Sequence, residues 1–578
     1  MSEKLDTLIK GGTVIDGTGA PGRKADVGIR DGRIVAIGEL NGNASNVIDA
    51  SGQVVGPGFV DIHTHYDAQV FWDPTLTPSS NHGVTTIMGG NCGFSIAPLN
   101  GNPADADYLI RMLARVEGMP LESLRQGASW DWRTFGDYLG KLEGRLSVNA
   151  GFMVGHSALR RHVMGERAVG EKATDAEIEK MKALLRQSLA EGGMGFSSTI
   201  SESHNDAEGN PVPSRHATDA ELLALAGVLR DFPGTTLEFL PNVRLPFDTA
   251  QLERLTNLSL AAERPLNWNV LAPDAKAPAR YTSQIVASDY AAERGARVVA
   301  LIFAQGITLR INLASGFIFD TFPGWSDLFK LKLEERMRAL QDPSWRARLD
   351  AGLRSPAMML REPMTEWTVQ QVFSDANRPY EGRRVGDVAA SQNKTPLDAL
   401  LDIALADRLS TVFLLPTMGD DDETWKLRGE LWHDERTVIG ASDAGAHLDM
   451  IDTFASSSHV LSVGVRERKL IKLEEAIRQL TDVPARLYGL RDRGRLQEGH
   501  WADVVVFDPD TIGCGPVYAR HDLPANGMRL YCDAIGVNHV FVNGRPIVRD
   551  GQSTGDAAGR ILRSGRDTET VPIPASTH

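Results

Sequence analysis

An apolar run beginning at Val54 ends in two histidines, within Gly58-Phe59-Val60-Asp61-Ile62-His63-Thr64-His65. On a strand, residues i and i+2 point to one face, so His63 and His65 present their imidazoles side by side. Cys92 follows 27 residues after His65, in Gly90-Asn91-Cys92-Gly93, where a second apolar stretch breaks into a glycine-rich turn. Two imidazoles and a thiolate are donors suited to zinc. Asp443 closes a third such run, Val438-Ile439-Gly440-Ala441-Ser442-Asp443-Ala444-Gly445. A carboxylate there can bind a metal and shuttle a proton for water activated at it. Each residue also has a plainer reading: hydrogen-bonded strand histidines, an inert small hydrophobe at Cys92, a helix N-cap at Asp443. Their shared position, each at the end of an apolar strand, favours the chemical one. His447, in the loop after Asp443, is a weaker candidate.

The elements that must hold these residues alternate. From about residue 58 to 485, short apolar strands (Leu146–Met153, Gly195–Thr199, Thr236–Phe239, Leu266–Leu271, Val298–Ile302, Val438–Ser442) are interleaved with amphipathic helices (Asp175–Ala190, Asp219–Asp231, Thr249–Glu263, Leu473–Leu480). That alternation predicts an α/β fold whose economical closed form is a (β/α)8 TIM-like barrel, with its site at the C-terminal ends of the strands. Residues 1–57 and 486–555 instead read as short strands with turn signals such as Asp16-Gly17 and Asp31-Gly32. They predict a small β-sandwich domain formed by both chain ends. Asn100–Arg145 and Ser315–Arg361 break the alternation and are expected to be insertions capping the barrel mouth. Phe317, Phe319, Phe322 and Trp325 then either line an apolar pocket or form the insertion's own core. Residues 556–578 read as a poorly packed tail.

With 42% hydrophobic and 24% charged residues, the 578-residue chain has the composition of a soluble globular protein. Its net charge of −14 argues against a nucleic-acid partner and an anionic membrane surface. Three cysteines, Cys92, Cys514 and Cys532, exclude a disulfide scaffold and fit a reducing compartment. The first residues carry no apolar signal segment, and no stretch approaches the roughly 20 apolar residues of a membrane span. A cytoplasmic protein acting on a small molecule is expected, with homo-oligomerisation left open.

The strand-His-x-His opening, the late Ser-Asp strand and the β-rich ends resemble the amidohydrolase superfamily. Gly90-Asn91-Cys92-Gly93-Phe94-Ser95, Val154-Gly155-His156-Ser157-Ala158-Leu159-Arg160, Gly195-Phe196-Ser197-Ser198 and Asp503–Asp508 resemble its N-acyl-D-amino-acid deacylase (D-aminoacylase) branch over nearly the whole chain. The resemblance implies that His63, His65 and Asp443 bind a divalent metal, foremost zinc. Cys92 would take the place of the carboxylated lysine that bridges two metals in other branches. Asp443 would be the general acid/base in water's attack on an amide carbonyl.

One departure matters. The branch supplies two further histidines from its fifth and sixth strands, where this chain reads Thr235-Thr236-Leu237-Glu238-Phe239-Leu240 and Pro265-Leu266-Asn267-Trp268-Asn269-Val270. One zinc per chain is therefore favoured over two. Glu238, an acid inside an apolar strand, needs a partner and is a candidate ligand, with Asn269 offering a hydrogen bond. His204 and His216, in a polar loop, are candidate replacements for the absent histidines. His156 and Arg160 are candidate substrate-binding residues, since a guanidinium suits a carboxylate, although Arg160 equally fits an outer helix face. Hydrolysis of an N-acyl-D-amino-acid-like C–N bond is the expected reaction. Its rivals are hydrolysis of another amide, cyclic amide or ester, and a lapsed barrel that binds without turnover.

Overall fold

A computed structural model describes residues 4–574 apart from 42, 315–317, 357 and 359–362; Phe317 lies outside them. Eight parallel strands appear in sequence order. Phe59–Asp61, Val84–Gly89 and Asn149–Phe152 form one sheet, and Val154–Gly155 carries the third strand into a second with Gly195–Thr199, Thr236–Leu240, Leu266–Leu271, Val298–Ile302 and Thr437–Ile439. A parallel bridge between Thr64 and Ala444 brings the exit of the last strand to that of the first. These strands are buried along nearly their whole length, as expected where helices cover a parallel sheet. The result is a TIM-like barrel carrying a further β domain.

The helices form where local chemistry starts them. Thr174 accepts from the backbone of Glu177, whose carboxylate returns the bond, and this capping box opens Asp175–Ala190. Met181, Leu185 and Leu189 are the face that helix buries. Asp248 caps Thr249–Ala262 by accepting from the Gln251 amide (2.9 Å).

The further domain draws strands from both chain ends into one nine-stranded sheet. Val504–Phe507 pairs antiparallel with Val54–Pro57, joining late chain to early chain. The Asp31-Gly32 signal makes the tight turn between Arg23–Arg30 and Arg33–Gly38, with both residues at positive φ. Asp503 fastens this domain to the barrel. Its carboxylate pairs with Arg493 and accepts from Asn149 Nδ2 (3.1 Å) and the Asn543 amide (2.8 Å).

Two expectations change. The second excursion is larger than 315–361. A three-stranded antiparallel sheet of Arg310–Ile311, Thr368–Gln371 and Val412–Leu414 encloses it, with its own core of Phe319, Phe322, Trp325, Trp367 and Phe413. Helical periodicity marks an apolar face without saying which core it meets; Val385–Gln392 and Pro396–Ala406, beyond the expected bound at 361, pack into this core. The supposed tail is also packed as far as Thr570, whose hydroxyl accepts from the Gly234 amide (2.9 Å). Ile561 bridges Ala150, Leu562 is fully buried, and the Thr568 hydroxyl donates to the Gly234 carbonyl (2.7 Å).

Candidate metal centre

The ends of the first, second, fifth, sixth and eighth strands converge. His63, His65 and Cys92 offer ligand atoms all within 4.8 Å of one another, and all three residues are buried. Cys92 Sγ lies 3.5 Å from His63 Nε2. Asp443 Oδ1 lies 3.1 Å from His65 Nε2 and 3.7 Å from His63 Nε2, and Oδ2 is 3.6 Å from His447 Nε2. Strand exits set this register: the Asp443 amide donates to the His63 carbonyl (3.1 Å) and the His65 amide to the Ala444 carbonyl (2.7 Å).

Glu238 and Asn269 occupy the floor. Glu238 Oε2 accepts from the Cys92 amide (2.8 Å), while its Oε1 is buried without a partner. Asn269 Nδ2 lies 3.2 Å from His63 Nε2 and 3.4 Å from Cys92 Sγ. The turn carrying Cys92 is tight. A Cβ on Gly90 (φ +75°) would stand 2.3 Å from the Met153 carbonyl oxygen, so a larger residue there displaces the turn. Cys92, Asp443 and His447 themselves adopt positive φ. Such strain costs on the order of 1–3 kcal/mol per residue and gathers where a fold holds functional side chains in place.

Two carboxylates join the site without having been foreseen. Glu117 Oε1 lies 3.5 Å from His65 Nδ1, and Asp67 Oδ2 accepts from the Gly90 amide (2.8 Å). Asp67 lies in the turn that follows His65, beyond the end of the strand Phe59–Asp61. Glu117 caps the C-terminus of Pro103–Val116, where the helix dipole disfavours an acid; that misfit was its only sequence trace.

The remaining predicted residues divide. His204 is buried, its ring 4.8 Å from that of Phe94, and burial followed by the charges of His447 and His65 holds it well below the usual histidine range. It flanks the cluster. His216 stands apart, with Nε2 3.2 Å from the Pro211 carbonyl. His156 and Arg160 are committed inside the fold, where Glu221 lies 3.0 Å from His156 Nε2 and within 2.6 Å of Arg160 Nη1. Both side chains are fully buried, so the structure gives them an internal ion-pair role in place of the substrate contact expected from sequence.

The electrostatics suit a cation. Burial pushes Glu238 up to about 8 and Glu117 to about 7, and burial with nearby carboxylates lifts the Cys92 thiol well above its ordinary value. His65 is raised to about 10, since Glu117 and Asp443 outweigh the cost of burying its charge. Asp443 stays below the usual carboxylate range, because the His65 hydrogen bond and charge overcome burial. Acids and a thiol converging in a largely buried pocket, with an orphaned carboxylate oxygen on Glu238, fit a divalent metal. Asp443 is the carboxylate that solvent reaches: its side chain is 21% exposed, against 3% for Glu117.

The sequence profile of the amidohydrolase family matches residues 46–548. The chain is 29% identical to a D-aminoacylase of Alcaligenes xylosoxydans xylosoxydans, over 97% of this chain and 98% of the relative. It is 30% identical to an N-acyl-D-glutamate deacylase of the same organism, over 99% of each. Among solved structures, the N-acyl-D-glutamate deacylase of Bordetella bronchiseptica, complexed with zinc and a phosphonate inhibitor, superposes with a TM-score of 0.63 at 28% identity, over 97% of this chain and 100% of the other.

Proposed function

The chain belongs to the amidohydrolase family, and from that premise we propose that it is a zinc-dependent hydrolase of N-acyl-D-amino-acid-like substrates. The observation that carries the reading is the convergence of His63, His65 and Cys92 beside a solvent-reached carboxylate, Asp443. His63, His65, Cys92 and Asp443 would hold the metal, with Glu238 supporting the thiolate side. A metal at this donor set supplies Lewis acidity toward an amide carbonyl and makes water acidic enough to attack near neutral pH. Asp443, ionised below the usual range, receives the proton of the attacking water and delivers it to the leaving nitrogen. His447 Nε2 stands 3.6 Å from Asp443 Oδ2, on the far side of that carboxylate from His65. The same premise supports reading the eight strands as a closed (β/α)8 barrel and the terminal sheet as a β-sandwich.

One observation favours a second reading. Glu238 and Asn269 stand where the branch has histidines, which suits a hydrolase of a different amide, cyclic amide or ester. Two measurements on the purified protein test the choice: metal content, and amine release from matched N-acyl-D- and N-acyl-L-amino acids. About one zinc per chain with D-selective release is expected. Two zincs would show Glu238 completing a second site, and metal content with no release from either series would transfer the assignment to the second reading.

A further inference from the structure

Two of the three free cysteines meet outside the metal cluster, on an excursion between Val504–Phe507 and Val537–Val542 of the terminal sheet. Gly513–Cys514 pairs antiparallel with Ala534–Ile535, and Cys514 stands opposite Ala534. Cys532 lies two residues from Ala534, so its side chain shares the Cys514 face. The Cys532 thiol donates to the Cys514 sulfur, and the Cys514 thiol donates to the Ala455 carbonyl (3.8 Å). His82, between the first two barrel strands, brings Nε2 to 3.6 Å from Cys532 Sγ, while its Nδ1 is 2.8 Å from Ser458 Oγ. We propose that Cys514 and Cys532 are an oxidation site, a dithiol that hydrogen peroxide converts to a reversible disulfide.

The two thiols differ as such chemistry requires. Cys514 is half-buried, so a small oxidant reaches it, whereas Cys532 is 1% exposed. Contact with Cys514, and then burial, pushes the Cys532 thiol above its ordinary range, which makes it the second to react. Cys514, having given up its proton, attacks one peroxide oxygen. The O–O bond breaks, Cys514 becomes a sulfenic acid, and the other oxygen leaves as hydroxide that takes the Cys514 proton. Cys532 sulfur then attacks Cys514 sulfur: the S–S bond forms, the S–O bond breaks and a second hydroxide leaves. With Nδ1–H donated to Ser458 Oγ, His82 Nε2 is an acceptor, and it relays the Cys532 proton to that hydroxide. Two thiols have lost two electrons, and one peroxide has become two waters. Closure needs Cα atoms within about 7 Å. Same-face diagonal neighbours stand about 7–8 Å apart, and each strand of this ladder is two residues long, so little structure has to move.

The disulfide would close the base of the hairpin formed by Tyr518–Leu523 and Gly527–Tyr531. That hairpin props the rim of the metal centre. Its Leu530 amide donates to the Leu448 carbonyl (2.7 Å), in the loop that leaves Asp443, and its Pro524 carbonyl accepts from Ser123 Oγ (2.7 Å).

The test treats zinc-loaded protein with a single equivalent of hydrogen peroxide and counts thiols after denaturation in an alkylating agent. Free thiols should fall from three to one per chain, with a Cys514–Cys532 disulfide peptide seen by mass spectrometry, and dithiothreitol should restore all three. Cys532→Ser should stop at the Cys514 sulfenic acid, captured by dimedone. Cys514→Ser, at the half-buried position, should leave both remaining thiols reduced and keeps the test independent of how the buried variant folds. His82→Gln should close the disulfide roughly tenfold or more slowly, with the dimedone adduct of Cys514 accumulating first, a signature that a merely structural histidine does not give. An unchanged closure rate would overturn the part assigned to His82. Retention of three thiols, loss confined to Cys92, a disulfide between two chains, or Cys514 carried to sulfinic acid without pairing would each overturn the proposal.

Discussion

Asp443 combines three properties that no other acid of the cluster shares: contact with both imidazoles, a carboxyl held below its ordinary range where the others are raised, and access to solvent. Asp443→Asn preserves size and backbone while removing the proton carrier. It should fold normally and lose about 10²–10⁴-fold in kcat; unchanged turnover would remove Asp443 from the chemistry. Glu238 acts differently. One of its oxygens holds the Cys92 amide and the other is orphaned and buried. Glu238→Gln should lower zinc affinity by about 10–100-fold, the usual scale for a group that orients a ligand, as read by competition with a chelator. An unaltered affinity would make Glu238 a structural acid.

Helices place the site through their own buried pairings. His156–Met164 meets Asp219–Ala226 at the cluster of His156, Arg160 and Glu221, with no exposed atom among the three side chains. Burial opposes ionisation of Glu221, yet the hydrogen bonds and charges of His156 and Arg160 prevail and draw it down to about 2. A depressed folded-state value means that stability is present above the unfolded value near 4.3 and is lost as pH falls toward 2. Glu221→Gln should cost about 3–5 kcal/mol at pH 7, since it strands a buried cation. The gap between the two proteins in urea midpoint should narrow between pH 5 and pH 3; a gap independent of pH would show that the pair is not ionic.

At the scale of the molecule, barrel and terminal sheet are joined by buried polar contacts as well as by apolar packing. Asp503 touches Arg493, Asn149 and Asn543 at that junction. Asp503→Ala leaves a buried guanidinium without its partner and should cost about 3–5 kcal/mol in global unfolding. One cooperative transition at a lower urea concentration is expected. Two separated transitions would show that the domains unfold independently, and an unshifted midpoint would remove Asp503 from the junction.

Short-range order made much of this protein legible. Period-2 spacing put His63 and His65 on one face, strand-to-glycine turns flagged Cys92 and Asp443, and Asp31-Gly32 marked its hairpin, because each is a property of a few neighbouring residues. Tertiary structure alone decided the rest. Glu117 reaches His65 from an inserted helix, Glu221 takes His156 and Arg160 away from any substrate, and the strand of Arg310 turns an excursion into the wall of a cavity. These contacts join residues far apart in the chain. Which apolar face meets which core is set by the packing of whole elements, and no window of sequence holds that information.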